Sequence, residues 1–363
     1  MNYWDYIRVE DLLALQGGLY EDDKQVGDDE CLFIVAHQVY ELWFKLVLRE
    51  LVSVRAIMRK NPVPDVELAL VARKLRRISA IFRMAVSHFE LLETLTTRDY
   101  LAFRDRLFPA SGFQSSQLRE IEIVLGLDDA RRIRLGPHDY KAALRDTAGK
   151  SSPALERVEA RLAEGPSLKE ALYDWLARTP IDGEASPEST DRFLSSFLAR
   201  HRAEIHGRIE RMRALVSAEE AETASKLYAR EMESAAAFLL AEDDAAAPPE
   251  VRRRRRAVRA AVVFLESYRE LPRLAWPREL VDAVIVMEQA MVLWRQRHAR
   301  MVERVIGRRV GTGGSSGVDY LDQTALQYRV FDDVWAVRTL LLRQGSLPTL
   351  VHADDYGFRV EDE

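Results

Sequence analysis

Wherever apolar side chains recur regularly in this 363-residue chain, they do so at intervals of three and four; alternation every second residue is nearly absent. That regularity leaves no material for a sheet and predicts an all-α fold. One long amphipathic helix is expected over residues 30–59, running from Glu30 through Leu32, Phe33, His37, Tyr40, Phe44 and Val47 to Met58. Asn61-Pro62-Val63-Pro64 stops it. A second runs from about Val66 to Thr94 with Leu70, Leu75, Ile78, Ile81, Phe82, Ala85 and Phe89 inward. A short helix over Tyr100–Leu107 and the loop Phe108-Pro109-Ala110-Ser111-Gly112 precede a helix from Phe113 or Gln114 to Leu125. The last third is expected to hold helices at about 251–270, 277–306 and 321–343.

Residues 130–250 are less hydrophobic and are punctuated by Pro137, Pro153, Pro166, Pro180 and Pro187, so short helices are expected there. The organisation predicted is a helical core in two halves, 1–129 and 251–363, with a smaller peripheral helical subdomain at 130–250.

A formal net charge of −5 argues against a general nucleic-acid binder. The basic run Arg252 to Arg256, continued by Arg259, follows an acidic segment at 241–250 and is expected to open a solvated helix. A single cysteine, Cys31, excludes an intramolecular disulfide and any cysteine-rich zinc site, and is expected to behave as a small core residue. No stretch approaches the roughly 18 uninterrupted apolar residues of a membrane span. Met-Asn-Tyr-Trp-Asp-Tyr lacks the basic and apolar regions of a signal peptide. A reducing cytoplasm and no membrane partner are the expectation.

Two histidines fall on apolar helix faces. His298 aligns with Met291, Trp294, Met301, Val302 and Val305, while Arg295, Arg297, Arg300, Glu303 and Arg304 are expected on the opposite side. An imidazole buried there needs a partner, which a backbone carbonyl, a carboxylate or a metal can supply. His37 aligns with Phe33, Tyr40, Glu41 and Phe44. Arg104 follows Tyr100 by one turn, and its guanidinium is suited either to a carboxylate ligand or to a structural ion pair. The loop Gly311-Thr312-Gly313-Gly314-Ser315-Ser316-Gly317 follows a helix and lacks a Gly-Lys-Ser/Thr ending, so it is no P-loop. It suits a cover over a small molecule. There is no His-Glu-x-x-His zinc motif and no nucleophile elbow. Two inward histidines, an aromatic-lined cavity, one arginine and a glycine-rich cover suit a haem with a small zwitterionic aromatic substrate beside it.

The string Asp29-Glu30-Cys31-Leu32-Phe33-Ile34-Val35-Ala36-His37-Gln38-Val39-Tyr40-Glu41-Leu42-Trp43-Phe44-Lys45 resembles the tryptophan 2,3-dioxygenase family. So do Phe103-Arg104, Ser111-Gly112-Phe113-Gln114-Ser115, Trp294-Arg295 followed by His298, and the loop 311–317. These motifs stand in family order from residue 3 to about 340. The resemblance implies haem b, active as Fe2+, with His298 as proximal iron ligand and Ser111 and Gly112 in the haem pocket. It implies His37 on the distal side near the indole N–H, Arg104 on the substrate carboxylate, Thr312 at its ammonium and carboxylate end, and Phe33 and Tyr100 against the substrate. Tyr3 and Tyr6 match tyrosines that enter a neighbouring subunit's pocket, which implies a homotetramer.

The implied reaction is oxidative cleavage of the indole C2–C3 bond of L-tryptophan by dioxygen to N-formyl-L-kynurenine. The alternative is a haem oxygenase acting on a substituted tryptophan such as a methyltryptophan, inserting one oxygen atom. A third class is a non-catalytic helical haem carrier, which does not need Arg104 and Thr312 together with both histidines. The sequence departs from the family pattern at Tyr3-Trp4-Asp5-Tyr6-Ile7 and at Asp28-Asp29-Glu30.

Overall fold

The computed structural model describes residues 1–20, 22–108, 112–133, 139–146, 148–311 and 317–358. Its helices are α1 (Tyr3–Ile7), α2 (Val9–Leu13), α3 (Asp28–Met58), α4 (Asp65–Leu92), α5 (Thr97–Arg104), α6 (Ser116–Leu125) and α7 (Pro153–Ala163). They continue as α8 (Leu168–Ala177), α9 (Pro187–Arg213), α10 (Ala218–Leu239), α11 (Pro249–Ser267), α12 (Ala275–Ile306), α13 (Val318–Gln327) and α14 (Asp332–Val337). Among the described residues no strand forms; a single bridge pairs Ile181 with Glu184. The fold is all-α, as the spacing predicts.

Local chemistry sets the ends. Asp28, Asp29 and Glu30 occupy the first turn of α3, where carboxylates favour a helix N-terminus. The Thr96 hydroxyl caps α5 by accepting from the Asp99 N–H at 3.2 Å. Ser115 caps α6 by accepting from the Leu118 N–H at 3.3 Å, and Gly126, at φ +102°, ends that helix in the left-handed conformation.

The described chain divides into two compact units. The first comprises residues 1–55, 73–168 and 286–330, and the second 56–72, 169–285 and 331–363. Residues 130–168 therefore belong to the first unit and 169–250 to the second. In the first unit, α3 packs on α4 through the buried Phe44, Val47, Leu51, Phe82 and Phe89, and the Tyr40 hydroxyl donates to the Ala85 carbonyl at 2.9 Å. Trp294 of α12 sits among them, edge-on to Phe44 at 5.6 Å and 6.0 Å from Phe89. In the second unit, Phe193 of α9 meets Phe264 of α11 edge-on at 5.5 Å, and Phe264 lies 5.6 Å from Tyr356.

Three expectations are corrected. The region after Pro187 carries long helices, 27 residues in α9 and 22 in α10, because no proline interrupts 188–240 and polar residues tolerate a long surface helix. The helix expected at 321–343 is two, α13 and α14. Between them the Val330 N–H donates to the buried Glu288 carboxylate at 2.5 Å and the Arg329 carbonyl accepts from Arg131 at 2.8 Å, partners outside any helix. Arg295 is not on a solvent face but buried. Averaged over an 18-residue window, α3 reaches a mean hydropathy of 1.4, so by length and composition it is apolar enough to cross a membrane. Uninterrupted runs are short because His37, Glu41 and Lys45 break them.

Candidate functional site

The first unit encloses a cavity of about 390 Å³, walled by α3, α5, α6, α12 and α13 and the segments beside them. Most of its wall is apolar: Phe33, Leu92, Leu118, Trp294, Val302 and Val305 all face it. That composition and size suit a small-molecule or cofactor site.

His37 comes from the third turn of α3. Its Nδ1 lies 2.7 Å from the Phe33 carbonyl, one turn back, and its ring is 4.0 Å from the Phe33 ring. A carbonyl only accepts, so Nδ1 carries the proton and Nε2 is left to face the cavity as an acceptor. Burial lowers the imidazole pKa, against the opposing pull of the Phe33 carbonyl and the Glu41 charge. The residue is exposed and lines the cavity, so its ring is open to a ligand.

His298 lies on α12 with its ring stacked on Phe89, 5.5 Å away and 8° from parallel, and on Trp294, 5.5 Å away. It forms no hydrogen bond with any described residue. Burial first, then the charges of His37 and Arg295, pushes its pKa down to about 4, so the ring is neutral and keeps a lone pair. Such a group is poised to bind a metal. Among the described residues no three of His, Cys, Asp and Glu come together, so a metal here depends on a single imidazole plus ligands the chain does not supply.

Other predicted residues are placed as follows. Phe33 and Tyr100 line the cavity, their rings 6.0 Å apart. Burial raises the Tyr100 pKa, opposed by the charge of Arg104 and a hydrogen bond with it. Arg104 itself is not on the cavity wall. Its Nη2 donates to the Val310 carbonyl at 2.5 Å, while its Nε is buried with no partner among the described residues. Gly112 lines the cavity. Ser111 and Thr312 lie outside the described residues. Gly311 and Gly317, the ends of the glycine–serine loop, both reach the wall; a Cβ on Gly317, at φ +58°, would sit 2.9 Å from the Arg309 carbonyl. Tyr3 and Tyr6 stand on α1, 72% and 77% exposed, and do not reach this chain's own cavity.

Sequence reasoning missed a buried charged array beside the cavity. Glu122 accepts from Arg119 Nη1 at 2.9 Å, Arg132 Nη1 at 2.6 Å and Arg295 Nη2 at 2.6 Å. Burial pushes the Glu122 pKa up, but the three guanidinium charges outweigh it and hold the carboxyl at about 2. The signal in the sequence was a pair of charges, Arg119 and Glu122, three apart on a helix whose other side chains are largely apolar. Periodicity sends such charges outward.

Comparison with known proteins gives a consistent picture. The family model described as tryptophan 2,3-dioxygenase matches residues 1–341. The chain is 63% identical over 364 aligned residues to the tryptophan 2,3-dioxygenase of Sorangium cellulosum, covering 100% of this chain and 88% of that one. It is 56% identical to tryptophan 2,3-dioxygenase 2 of Ralstonia nicotianae, covering 99% and 98%. With tryptophan 2,3-dioxygenase of Anopheles gambiae it shares 32% over 97% of this chain and 88% of the relative.

Proposed function

The chain belongs to the tryptophan 2,3-dioxygenase family, and from that premise we propose that it cleaves the indole C2–C3 bond of L-tryptophan with dioxygen to yield N-formyl-L-kynurenine. The observation that carries this reading is His298, a neutral imidazole without a partner that faces an apolar cavity shared with His37. A porphyrin suits that setting, since it carries nitrogen ligands of its own and would need from the protein only the imidazole of His298. Haem b held there in its ferrous form would supply dioxygen activation.

The chain's own residues do the rest. His298 would hold the iron, and its stack on Phe89 and Trp294 fixes the ring plane. His37 accepts the indole N–H at Nε2, because its other nitrogen is engaged by the Phe33 carbonyl. Phe33 and Tyr100 flank the indole. Arg104 exchanges the Val310 carbonyl for the substrate carboxylate, a charged fork partner replacing a neutral carbonyl. Holding the indole at its N–H and at its carboxylate keeps C2 and C3 in reach of oxygen. Thr312, Ser111 and Gly112 keep the roles implied by their motifs, at the ammonium end and in the haem pocket. The apolar wall excludes water. Both oxygen atoms enter the product, so no reductant is consumed per turnover.

Tyr3 and Tyr6 belong in this account as residues of a neighbouring subunit's pocket within a homotetramer. Their exposure on a helix with no buried residue supports it. With one free cysteine, a reducing cytoplasm suits the protein.

Purified protein should show a Soret band, and ferrous protein given L-tryptophan and air should form N-formylkynurenine without added reductant. His298→Ala should abolish or severely weaken the band. An undiminished Soret band in that variant would remove the ligand assignment, and inert tryptophan with a turned-over methyltryptophan would replace the substrate.

A further inference from the structure

Among the described residues that line the cavity, Arg119 and Arg295 are the only guanidinium or ammonium groups. Both are held inside the protein, 4% and 7% exposed. They share Glu122, 2% exposed, with Arg132, whose second carboxylate is Asp129 at 2.8 Å. Within this cluster three guanidinium charges thus meet one buried carboxylate and one surface carboxylate, one guanidinium more than the carboxylates that pair with them; the cavity's own carboxylate, Glu41, is held by the Gln117 amide at 2.7 Å. Arg119 makes a single hydrogen bond among the described residues, from Nη1 to Glu122, and its Nε is buried with no partner. A buried unpaired cation is costly unless an anion completes it.

We propose that Arg119 and Arg295 form a carboxylate-binding subsite on the cavity wall. This rests on the haem and tryptophan reading above and deepens it. The ligand chemistry is a carboxylate, and two are available: a propionate of the porphyrin and the carboxylate of the amino acid. The porphyrin is the expected source, because Arg295 lies one turn from His298 on α12 and its charge reaches that ring. Glu122 orients both guanidiniums without neutralising them, leaving a rigid fork for a planar acceptor.

Haem and haem dimethyl ester, which lacks free carboxylates, are titrated into apo-protein and followed by the Soret band. Wild type should favour the free acid by about 10- to 100-fold, the range a charge-assisted hydrogen bond supplies. Arg119→Gln should lose most of that preference while His298 ligation persists in the spectrum. A second arm compares L-tryptophan with tryptamine in the holoprotein. If Arg119→Gln weakens L-tryptophan alone, the subsite stands and its carboxylate is the substrate's. If Arg119→Gln alters neither preference, the subsite is refuted. Should that variant fail to fold, Arg119→Lys keeps the charge but loses the fork, and the propionate bending modes in resonance Raman should shift; unchanged modes in a folded Arg119→Lys holoprotein with wild-type tryptophan affinity refute the subsite as well. Wild type that takes up no haem overturns the functional reading itself, an outcome distinct from an unchanged variant.

Discussion

Glu122 shows how far one carboxylate can govern a buried site. Its folded pKa of about 2 lies below the ordinary 4.5, so it contributes stability that is complete above pH 4.5 and is lost as pH falls toward 2. The shift corresponds to something on the order of 3 kcal/mol. Denaturant midpoints of wild type and Glu122→Gln, measured between pH 5.5 and 3, should converge as the medium turns acidic; parallel curves would contradict the assignment. At neutral pH the variant should be less stable by about 3–5 kcal/mol, since three guanidiniums then cluster without their shared counter-ion. His37 and His298 were readable from the sequence because each lies on an apolar face. Arg295 was not, because its charge assigned it to the solvent side, and its burial is accounted for by Glu122, 173 positions away, and by the Tyr328 ring 4.9 Å from its guanidinium.

At the scale of elements, long helices carried the clearest signal and their interruptions the weakest. α3, α4 and α12 follow from apolar spacing and from proline and acidic boundaries. The break between α13 and α14 has no comparable marker, being made by Glu288 and Arg131 reaching the chain from elsewhere. The stack of Phe89, His298 and Trp294 ties α4 to α12 and sets the orientation of the imidazole. Phe89→Ala should cost about 3–5 kcal/mol in chemical denaturation and leave the His298 ring free to turn. A loss below 1 kcal/mol would mean that the aromatic nest does not depend on it. Ser115 is a smaller lever: removing its cap on α6 by Ser115→Ala should cost about 1 kcal/mol, readable as a lower thermal midpoint.

For the whole molecule, the two most conspicuous surface features have opposite fates. Four arginines of the basic run are paired within the second unit: Arg254 with Asp174, Arg255 with Asp244, Arg256 with Asp191, and Arg259 with Asp243 and Asp333. The aromatic side chains of the N-terminus have no such partner among the described residues. Replacing Tyr3 and Tyr6 together by Ala should leave the fold within about 0.5 kcal/mol of wild type while raising KM for tryptophan or loosening the oligomer, as read by steady-state kinetics and light scattering. Unchanged KM and mass would exclude a role across subunits. The sequence alone determined the helical class, the positions of α3, α4 and α12 and the two inward imidazoles, because periodicity is a local property that burial enforces along one chain face. The charged wall of the cavity, the engagement of Arg104 by Val310 and the division into units were decided only by the tertiary structure. Each depends on groups distant in sequence whose pairing energy exists only once they are brought out of water together.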